Sequence, residues 1–331
     1  MRSKKQTCLI TGAAGFIGSH LCQALLDTAN TIHVVGIDNL NNYYDPTIKK
    51  RRIKKLELNN RFTFYKISIL DQKKILALIK TYRPTILIHL AAEVGVRNGE
   101  IHPLQYFTTN VIGTQSLLES ATSYVEHAII FSSSSVYGST KNIPFRETEA
   151  LNTTIPLSAY GASKLAMEIT VQNYYKRTSI PISIVRPFSI YGPDGRPDML
   201  PIKLLIAAKN NISLDIYAPT QYFRDWTYID TCIESVLAII NNPNKIQIVN
   251  IGNGHPMSLF ETIEISQKIV QTFGHTFTYI IKPANHNEMI RTSADTTKLK
   301  TIIKLKKNTS FQEGFTKTAE FFFSHPDLYI K

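Results

Sequence analysis

The stretch Thr7-Cys8-Leu9-Ile10-Thr11-Gly12-Ala13-Ala14-Gly15-Phe16-Ile17-Gly18 decides the fold. Its first five residues form a short, largely apolar strand, three evenly spaced glycines follow, and apolar periodicity from Phe16 to Leu26 then announces a helix. Glycines let the backbone turn tightly and approach a pyrophosphate, which meets the free amides and positive dipole of the helix N-terminus. Alone, such a loop is a weak signal. Its context strengthens it, because Asp38 stands twenty residues beyond Gly18, at the end of the next apolar run, Val34-Val35-Gly36-Ile37. A carboxylate there accepts hydrogen bonds from an adenosine ribose diol and repels a 2′-phosphate, which favours NAD over NADP.

Outward from this segment, further short apolar runs recur between helical patterns: Phe62-Thr63-Phe64-Tyr65, Thr85-Ile86-Leu87-Ile88-His89-Leu90, Ala128-Ile129-Ile130-Phe131 and Ile182-Ser183-Ile184-Val185. Strands alternating with helices predict an α/β chain built on a Rossmann-type doubly wound parallel sheet covered on both faces. The alternation is regular to about Arg186 and mixed beyond it, with turn clusters at Tyr191-Gly192-Pro193, Asn241-Asn242-Pro243 and Gly252-Asn253-Gly254. The expectation is a cofactor domain over residues 1–186 with a return segment near 228–252, and a smaller, discontinuous α/β substrate domain drawn mainly from 187–331.

With 331 residues, 43% of them hydrophobic and 19% charged, the chain is long enough for a sizeable core and is neither disordered nor fibrous in composition. Three scattered cysteines, Cys8, Cys22 and Cys232, have no disulfide framework or metal-ligand spacing and suit a reducing, cytoplasmic setting. The start Met1-Arg2-Ser3-Lys4-Lys5 precedes an apolar run, but glycines interrupt it and the loop explains it better than a signal peptide. No run approaches the roughly 18 apolar residues of a membrane span. The formal charge of +12 admits nucleic acid, an anionic surface or a small anionic substrate as partner. The densest basic cluster, Lys49-Lys50-Arg51-Arg52 with Lys54-Lys55, falls on an expected helix running to Leu58; with no nucleic-acid module around it, it reads as a solvated basic face.

Two further segments carry chemistry. In Tyr160-Gly161-Ala162-Ser163-Lys164, opening a helix, an i, i+4 pair brings the Lys164 ammonium near the Tyr160 phenol. A neighbouring cation stabilises the phenolate, so Tyr160 can serve as general base near neutral pH. Phe131-Ser132-Ser133-Ser134-Ser135-Val136-Tyr137-Gly138 lies at the C-terminal end of an expected parallel strand, where open α/β sheets place their ligands.

Together, the glycine loop, the serine run and the Tyr160/Lys164 pair make the chain resemble the extended short-chain dehydrogenases, the sugar-nucleotide epimerase and dehydratase family, over nearly its whole length. The resemblance implies that Ser133 bonds the reacting sugar hydroxyl, that Tyr160 removes its proton, and that Lys164 also holds the nicotinamide ribose. It implies tightly held NAD, contacted by Gly12, Gly15, Phe16, Ile17, Gly18, Asp38, Asn39, Leu90, Ala91, Ala92, Asn110, Tyr160, Lys164 and Pro187, and no metal. Related dehydratases carry an Asp-Glu pair just after the serine, and decarboxylases a Glu; Ser134 and Ser135 stand there here. What remains is reversible: oxidise one carbon, turn the sugar over, return the hydride to the other face. That is epimerisation.

Asp38-Asn39-Leu40-Asn41-Asn42-Tyr43-Tyr44-Asp45, Gly95-Val96-Arg97 and Tyr191-Gly192-Pro193-Asp194-Gly195-Arg196-Pro197-Asp198-Met199 resemble the UDP-glucuronate 4-epimerase branch. This implies Arg196 and Ser189 near the sugar carboxylate, Arg224 on the diphosphate, Tyr217 near the uracil, and Arg97, Ser134 and Arg291 among the other substrate contacts. A 4-keto uronate is a β-keto acid that loses carbon dioxide when its carboxylate rotates freely, and an arginine restrains it through bidentate geometry. A basic chain also raises the encounter rate of so anionic a substrate.

Departures from the branch are Asn98-Gly99 for Tyr-Ser, Ile67-Ser68-Ile69 for Gly-Asp-Ile, which removes one adenine contact, and His286-Asn287-Glu288 for Pro-Gly-Asp. Within enzymes the alternative is a UDP-glucose or UDP-N-acetylhexosamine 4-epimerase. An NAD-binding sensor without turnover, or a basic protein binding nucleic acid or a membrane, leaves the Ser133, Tyr160 and Lys164 set unexplained. The resemblance further implies a homodimer through the Tyr160/Lys164 helix and the helix before it.

Overall fold

The computed structural model describes residues 6–28, 32–138, 140, 142–149, 155–217, 222–283, 289–303 and 308–329. Six parallel strands appear in the expected places: β1 (Gln6–Thr11), β2 (Ile32–Asp38), β3 (Phe62–Lys66), β4 (Ile86–His89), β5 (His127–Phe131) and β6 (Ile182–Pro187). A seventh, Ile246–Ile251, joins the edge beside β6, and the spatial order from the opposite edge is β3, β2, β1, β4, β5, β6 and then this strand. The order reverses at β1, whose neighbours are β2 and β4, so the connections leaving β1 and β4 diverge and open a crevice at the C-terminal ends of the strands.

Register sets what meets at that end. Thr11 pairs with Ile37 on one side and His89 on the other, His89 with Ile130, and Phe131 with Val185. Consequently Gly12, Asp38, Leu90, Ser132 and Arg186 emerge along one rim. Both central strands β4 and β5 are buried along their whole length, as a sheet covered on both faces requires.

The main core lies where Leu9, Val35, Leu87, Ala128, Ile130 and Ile184 of the sheet meet helices α3 (Gln72–Tyr82), α6 (Thr114–Ala121) and α7 (Ala159–Thr178). On α3, Ile75, Leu78 and Ile79 recur at helical spacing and are buried, each stabilising the fold by about 1.5–3 kcal/mol. Helix α7 is different. Its N-terminus is capped by the Ser158 hydroxyl, which accepts from the Gly161 amide at 3.1 Å, and its buried stripe runs Gly161, Lys164, Met167, Glu168, Val171 and Tyr174. Two charged residues therefore sit in the stripe that packs, a cost that only paired charges can offset.

The other helices of this part are α1 (Phe16–Thr28), α2 (Pro46–Leu56), α4 (Val96–Ile101) and α5 (Pro103–Phe107), with a π-helical turn at Thr108–Gly113 between α5 and α6. The helix expected to run to Leu58 stops at Leu56, where the chain turns through Glu57, Leu58 and Asn59.

The chain forms two compact units: residues 1–140, 147–186 and 233–249, and residues 141–146, 187–232 and 250–331. The second unit is built of short pieces. Ser189–Tyr191 pairs with Trp226–Tyr228, Phe223–Arg224 with Met257–Ser258, and Ser213–Tyr217 with Thr278–Lys282. Helix α8 (Leu200–Asn210) and the helices Leu259–Thr272, Thr297–Ile302 and Phe311–Ser324 are among its helices. An aromatic cluster of Tyr191, Trp226, Tyr228 and Phe311 forms its centre, with ring centroids 5.1–6.1 Å apart in edge-on and tilted pairs.

Candidate active site

The glycine loop takes the shape expected of a phosphate cradle. Gly12 adopts φ +74°, open to glycine without strain. A Cβ on Gly18 would stand 2.2 Å from the Gly12 carbonyl oxygen, so only glycine lets α1 start this close to the turn. At the end of β2 the Asp38 carboxylate accepts from the Ala14 amide at 3.2 Å and the Leu40 amide at 2.8 Å. Burial raises its pKa; Lys49, those two amides and Arg52 oppose the rise.

Those two cations revise the reading of the basic cluster. Lys50, Lys54 and Lys55 are exposed, but Lys49 and Arg52 are buried, so the cluster is not wholly a solvated face. Lys49 Nζ donates to the Asn41 carbonyl at 3.0 Å, and Arg52 Nη1 donates to the Ala14 carbonyl at 3.2 Å and the Tyr44 hydroxyl at 2.9 Å. They lie behind Asp38 and the glycine loop as countercharge and brace. Asn39 is exposed and folds over its own turn, its Oδ1 accepting from the Asn41 amide at 3.0 Å. Leu90, Ala91 and Ala92 are half-buried after β4, the Leu90 amide held by the Thr11 carbonyl and the Ala91 amide by the Thr11 hydroxyl. Phe16 is buried, while Ile17 and Pro187 are partly exposed. Ser68, at the position of the missing adenine contact, caps its own turn by accepting from the Leu70 amide.

Ser133, Tyr160 and Lys164 are brought to the same rim. Ser133 is extended and caps a 3-10 turn, Ser134–Tyr137, its hydroxyl accepting from the Ser135 amide at 3.1 Å and donating to the Ser135 hydroxyl at 3.1 Å. The start of α7 presses on this turn, since a Cβ on Gly161 would come 2.7 Å from the Ser135 carbonyl oxygen. Tyr160 is half-buried, its ring edge-on to Tyr106 at 6.2 Å. Lys164 is buried and donates to the carbonyl of Phe131, two residues before Ser133, at 2.7 Å. Burial pulls its pKa from 10.5 down to about 8, against the opposing charge of Glu168.

Sequence reasoning missed the layer behind this set. Glu168, one turn beyond Lys164, forms a fully buried bidentate pair with Arg186, with Nε to Oε1 at 2.9 Å and Nη2 to Oε2 at 2.7 Å. It also accepts from the Ser132 hydroxyl at 2.5 Å, while Arg186 Nη1 reaches the Tyr137 hydroxyl and the Glu147 carbonyl, each at 3.0 Å. Burial alone would lower the Arg186 pKa; its hydrogen bonds to Glu168 and that residue's charge raise it overall. The signal was present as an i, i+4, i+8 row, Tyr160, Lys164 and Glu168, but its partner Arg186 is on another element.

Asn110, expected among the cofactor contacts, is fully buried in the π-helical turn and works on the protein. Its Oδ1 accepts from the Glu93 amide at 2.8 Å; its Nδ2 donates to the Glu93 carbonyl at 3.1 Å and to Ser163 at 2.9 Å, stitching α7 to the segment after β4. Beside it, Thr114 donates to the Asn110 carbonyl at 2.6 Å, so it accepts from His89 Nε2 at 2.9 Å, and His89 Nδ1 accepts from Thr11 at 2.7 Å. Burial, then the Lys164 charge, takes His89 down to about 3, a neutral ring that links β1, β4 and the π-helical turn. Arg97 is exposed on α4 and Ser134 half-buried.

In the second unit, Ser189 begins a short strand and is half-buried, its amide bonded to the Asp225 carbonyl at 3.1 Å. Arg196 pairs with Asp198 in the same turn, Nε to Oδ1 at 3.0 Å and Nη2 to Oδ2 at 2.5 Å. Tyr217 is 43% exposed at the end of its strand. Arg224 and Arg291 lie over the rings of Tyr222 and Phe223 at 4.7 and 4.8 Å, and Phe223 and Arg291 are bridge partners. The segments carrying them converge on Asp225, a fully buried carboxylate that accepts from the amides of Asn253, Gly254 and Ala294 at 2.7–2.9 Å. Asn287 and its neighbours 286 and 288 lie outside the described residues.

A parallel sheet with a glycine turn after its first strand, an acidic residue after its second and a Ser, Tyr, Lys set on its rim defines a protein of the short-chain dehydrogenase class. Residues 9–318 match the family model described as GDP-mannose 4,6 dehydratase. The chain belongs to that family of extended short-chain dehydrogenases. It is 32% identical to a probable UDP-glucuronate 4-epimerase of Rhizobium meliloti, over 95% of this chain and 96% of that one. A crystal structure of UDP-glucuronic acid 4-epimerase from Bacillus cereus, in complex with UDP-glucuronic acid and NAD, superposes with a TM-score of 0.88 at 35% identity, covering 96% of this chain and 99% of that one. UDP-glucose 4-epimerase from Thermotoga maritima, with UDP-glucose, gives 0.86 at 26% identity over 97% and 100%.

Proposed function

We propose that this protein is an NAD-dependent UDP-sugar 4-epimerase whose substrate is UDP-glucuronate and whose product is UDP-galacturonate. The observation that carries the reading is the pair Ser134 and Ser135 after Ser133, with a buried Lys164 one helical turn after Tyr160: a set equipped to move one hydroxyl proton, with no carboxyl group following Ser133 to continue toward dehydration. The relatives named UDP-glucuronate 4-epimerase support the same choice.

The glycine cradle, the Asp38 carboxylate and the Lys164 ammonium fit a nicotinamide dinucleotide, which when bound supplies the hydride acceptor and donor. The role of the chain is then to position and to move a proton. Ser133 bonds the sugar 4-hydroxyl, Tyr160 takes its proton, and Lys164 stabilises the phenolate and holds the nicotinamide ribose. Gly12, Gly15, Phe16, Ile17 and Gly18 seat the pyrophosphate at the start of α1. Asp38 and Asn39 take the adenosine ribose, and Leu90, Ala91, Ala92 and Pro187 shape the remaining wall, with Asn110 behind it holding the Glu93 backbone and Ser163 in place. From the second unit, Arg224 holds the diphosphate, Arg291 is a further substrate contact, Tyr217 lies by the uracil, and Ser189 and Arg196 restrain the uronate carboxylate. Arg97 and Ser134 complete the sugar contacts.

The enzyme works in the cytoplasm as a homodimer. Among the described residues no helix is long and apolar enough to cross a membrane, and the three cysteines are free and buried. Leu104 of α5, Ile112 of the π-helical turn and Ile169 of α7 are 79%, 62% and 55% exposed, apolar surface suited to a second copy.

Parallel incubations with UDP-glucuronate and UDP-glucose, without added NAD and followed by proton NMR, test the reading. UDP-galacturonate without carbon dioxide release is the expected outcome. Conversion of UDP-glucose alone would move the protein to the neutral-sugar epimerases and remove Arg196 from the site.

A further inference from the structure

The segment that carries Arg196 is fixed at each link. After the Ser189–Tyr191 strand the chain turns through Asp194, at φ +56°, and the Gly195 carbonyl accepts from the Tyr329 hydroxyl at 3.0 Å. The Arg196 carbonyl accepts from the Met199 amide at 3.2 Å, closing a turn that leads straight into α8. The Arg196 side chain is fixed as well. Asp198, two residues on, takes its Nε and Nη2 in a two-point contact at 3.0 and 2.5 Å, both side chains retaining partial exposure at 22% and 31%. Asp198 also stands one residue before the Met199 N-cap of α8, near a helix N-terminus that favours a carboxylate.

A guanidinium is planar and offers hydrogen-bond donors along more than one edge, so an anion on one edge sets the plane in which another anion is received. We propose that Asp198 is a specificity-determining positioning residue: by bracing the Nε–Nη2 edge of Arg196, it fixes the direction in which that guanidinium meets the carboxylate of a uronate. The inference rests on the uronate reading of Arg196. A neutral 4-epimerase substrate has no carboxylate to align and gains nothing from the brace.

The brace also matters for product fidelity. In a 4-keto uronate, carbon dioxide leaves when the C5–C6 bond breaks, its electron pair passing to the C4 carbonyl as an enolate that then takes a proton at C5. Breakage requires that bond to stand perpendicular to the carbonyl plane. A carboxylate gripped by an arginine of fixed direction holds the sugar out of that alignment; an unbraced arginine lets it in.

The test uses the full chain with its retained cofactor and the variants Asp198→Ala, Asp198→Asn, Arg196→Ala and the double Arg196→Ala/Asp198→Ala. Dissociation constants for UDP-glucuronate and UDP-glucose are measured by calorimetry, and released carbon dioxide is counted per galacturonate formed. Asp198→Ala is expected to weaken UDP-glucuronate by about tenfold and leave UDP-glucose within about twofold, which also shows that the fold is intact. Carbon dioxide release rises, Asp198→Asn falls between, and Asp198→Ala adds nothing in the Arg196→Ala background. Equal weakening of both nucleotides, or tighter UDP-glucuronate binding, would overturn the brace while a selective Arg196→Ala kept the uronate reading. If Arg196→Ala itself failed to discriminate, both would fall.

Discussion

In the proposed mechanism Lys164 must keep its proton for Tyr160 to lose one, in a place where burial works against it. With a folded pKa near 8 against 10.5, activity is expected to fall as pH rises above about 8, measured as initial epimerisation rates. Stability runs the other way: between about 8 and 10.5 the unfolded chain holds a proton that the folded chain does not, so Lys164 destabilises least at high pH. The stability gap between Lys164→Met and the parent therefore narrows over that window in denaturant titrations; an unchanged gap would contradict a buried, perturbed lysine. Glu168→Ala leaves the buried Arg186 charged without its carboxylate and is expected to cost about 3–5 kcal/mol, whereas Glu168→Gln with Arg186→Met costs much less. The Tyr160 and Lys164 pair was legible from i, i+4 spacing. The Glu168 and Arg186 pair was not, because a residue on α7 says nothing about which arginine of a distant strand will meet it.

Among elements, the strands of the sheet were readable because apolar runs in a doubly covered sheet need no partner to declare themselves. Helix α2 was misread in part for a physical reason: a run of lysines and arginines looks solvated in one dimension, yet Lys49 and Arg52 fall on the face that closes over the glycine loop. Their burial depends on Asn41, Tyr44 and Ala14 being there to receive them. The π-helical turn was invisible because its reason is Asn110, whose partners Glu93 and Ser163 come from other segments. The glycine loop was legible, and it makes the sharpest prediction at this scale. Gly18→Ala has no room beside the Gly12 carbonyl, so the purified variant is expected to carry at most about a tenth of the parent's NAD, assayed by absorbance after acid release. Full NAD content would mean the loop is not the pyrophosphate seat.

For the molecule as a whole, six strands of the seven-stranded sheet followed from repeated short-range patterns, while the edge strand Ile246–Ile251 was foreseen only as a returning segment. The second unit did not, since its strands of two to five residues are paired across long gaps in sequence. Its arginines became readable only through resemblance, and Asp198, which braces Arg196, and Asp225, which ties the neighbouring loops together, only through the structure. The apolar side chains Leu104, Ile112 and Ile169 lead to a prediction at this scale. The parent is expected to run at twice the chain mass in light scattering, and Ile169→Asp at the chain mass; an unaltered dimer would place the interface elsewhere.

In the proposed cycle the hydride taken from C4 returns to C4 of the same sugar within one protein. UDP-glucuronate incubated in deuterium oxide with the protein as purified, and no added NAD, tests it in one proton NMR spectrum. The expected product is UDP-galacturonate carrying protium at C4, with no carbon dioxide lost. Deuterium at C4, or no galacturonate at all, would contradict it.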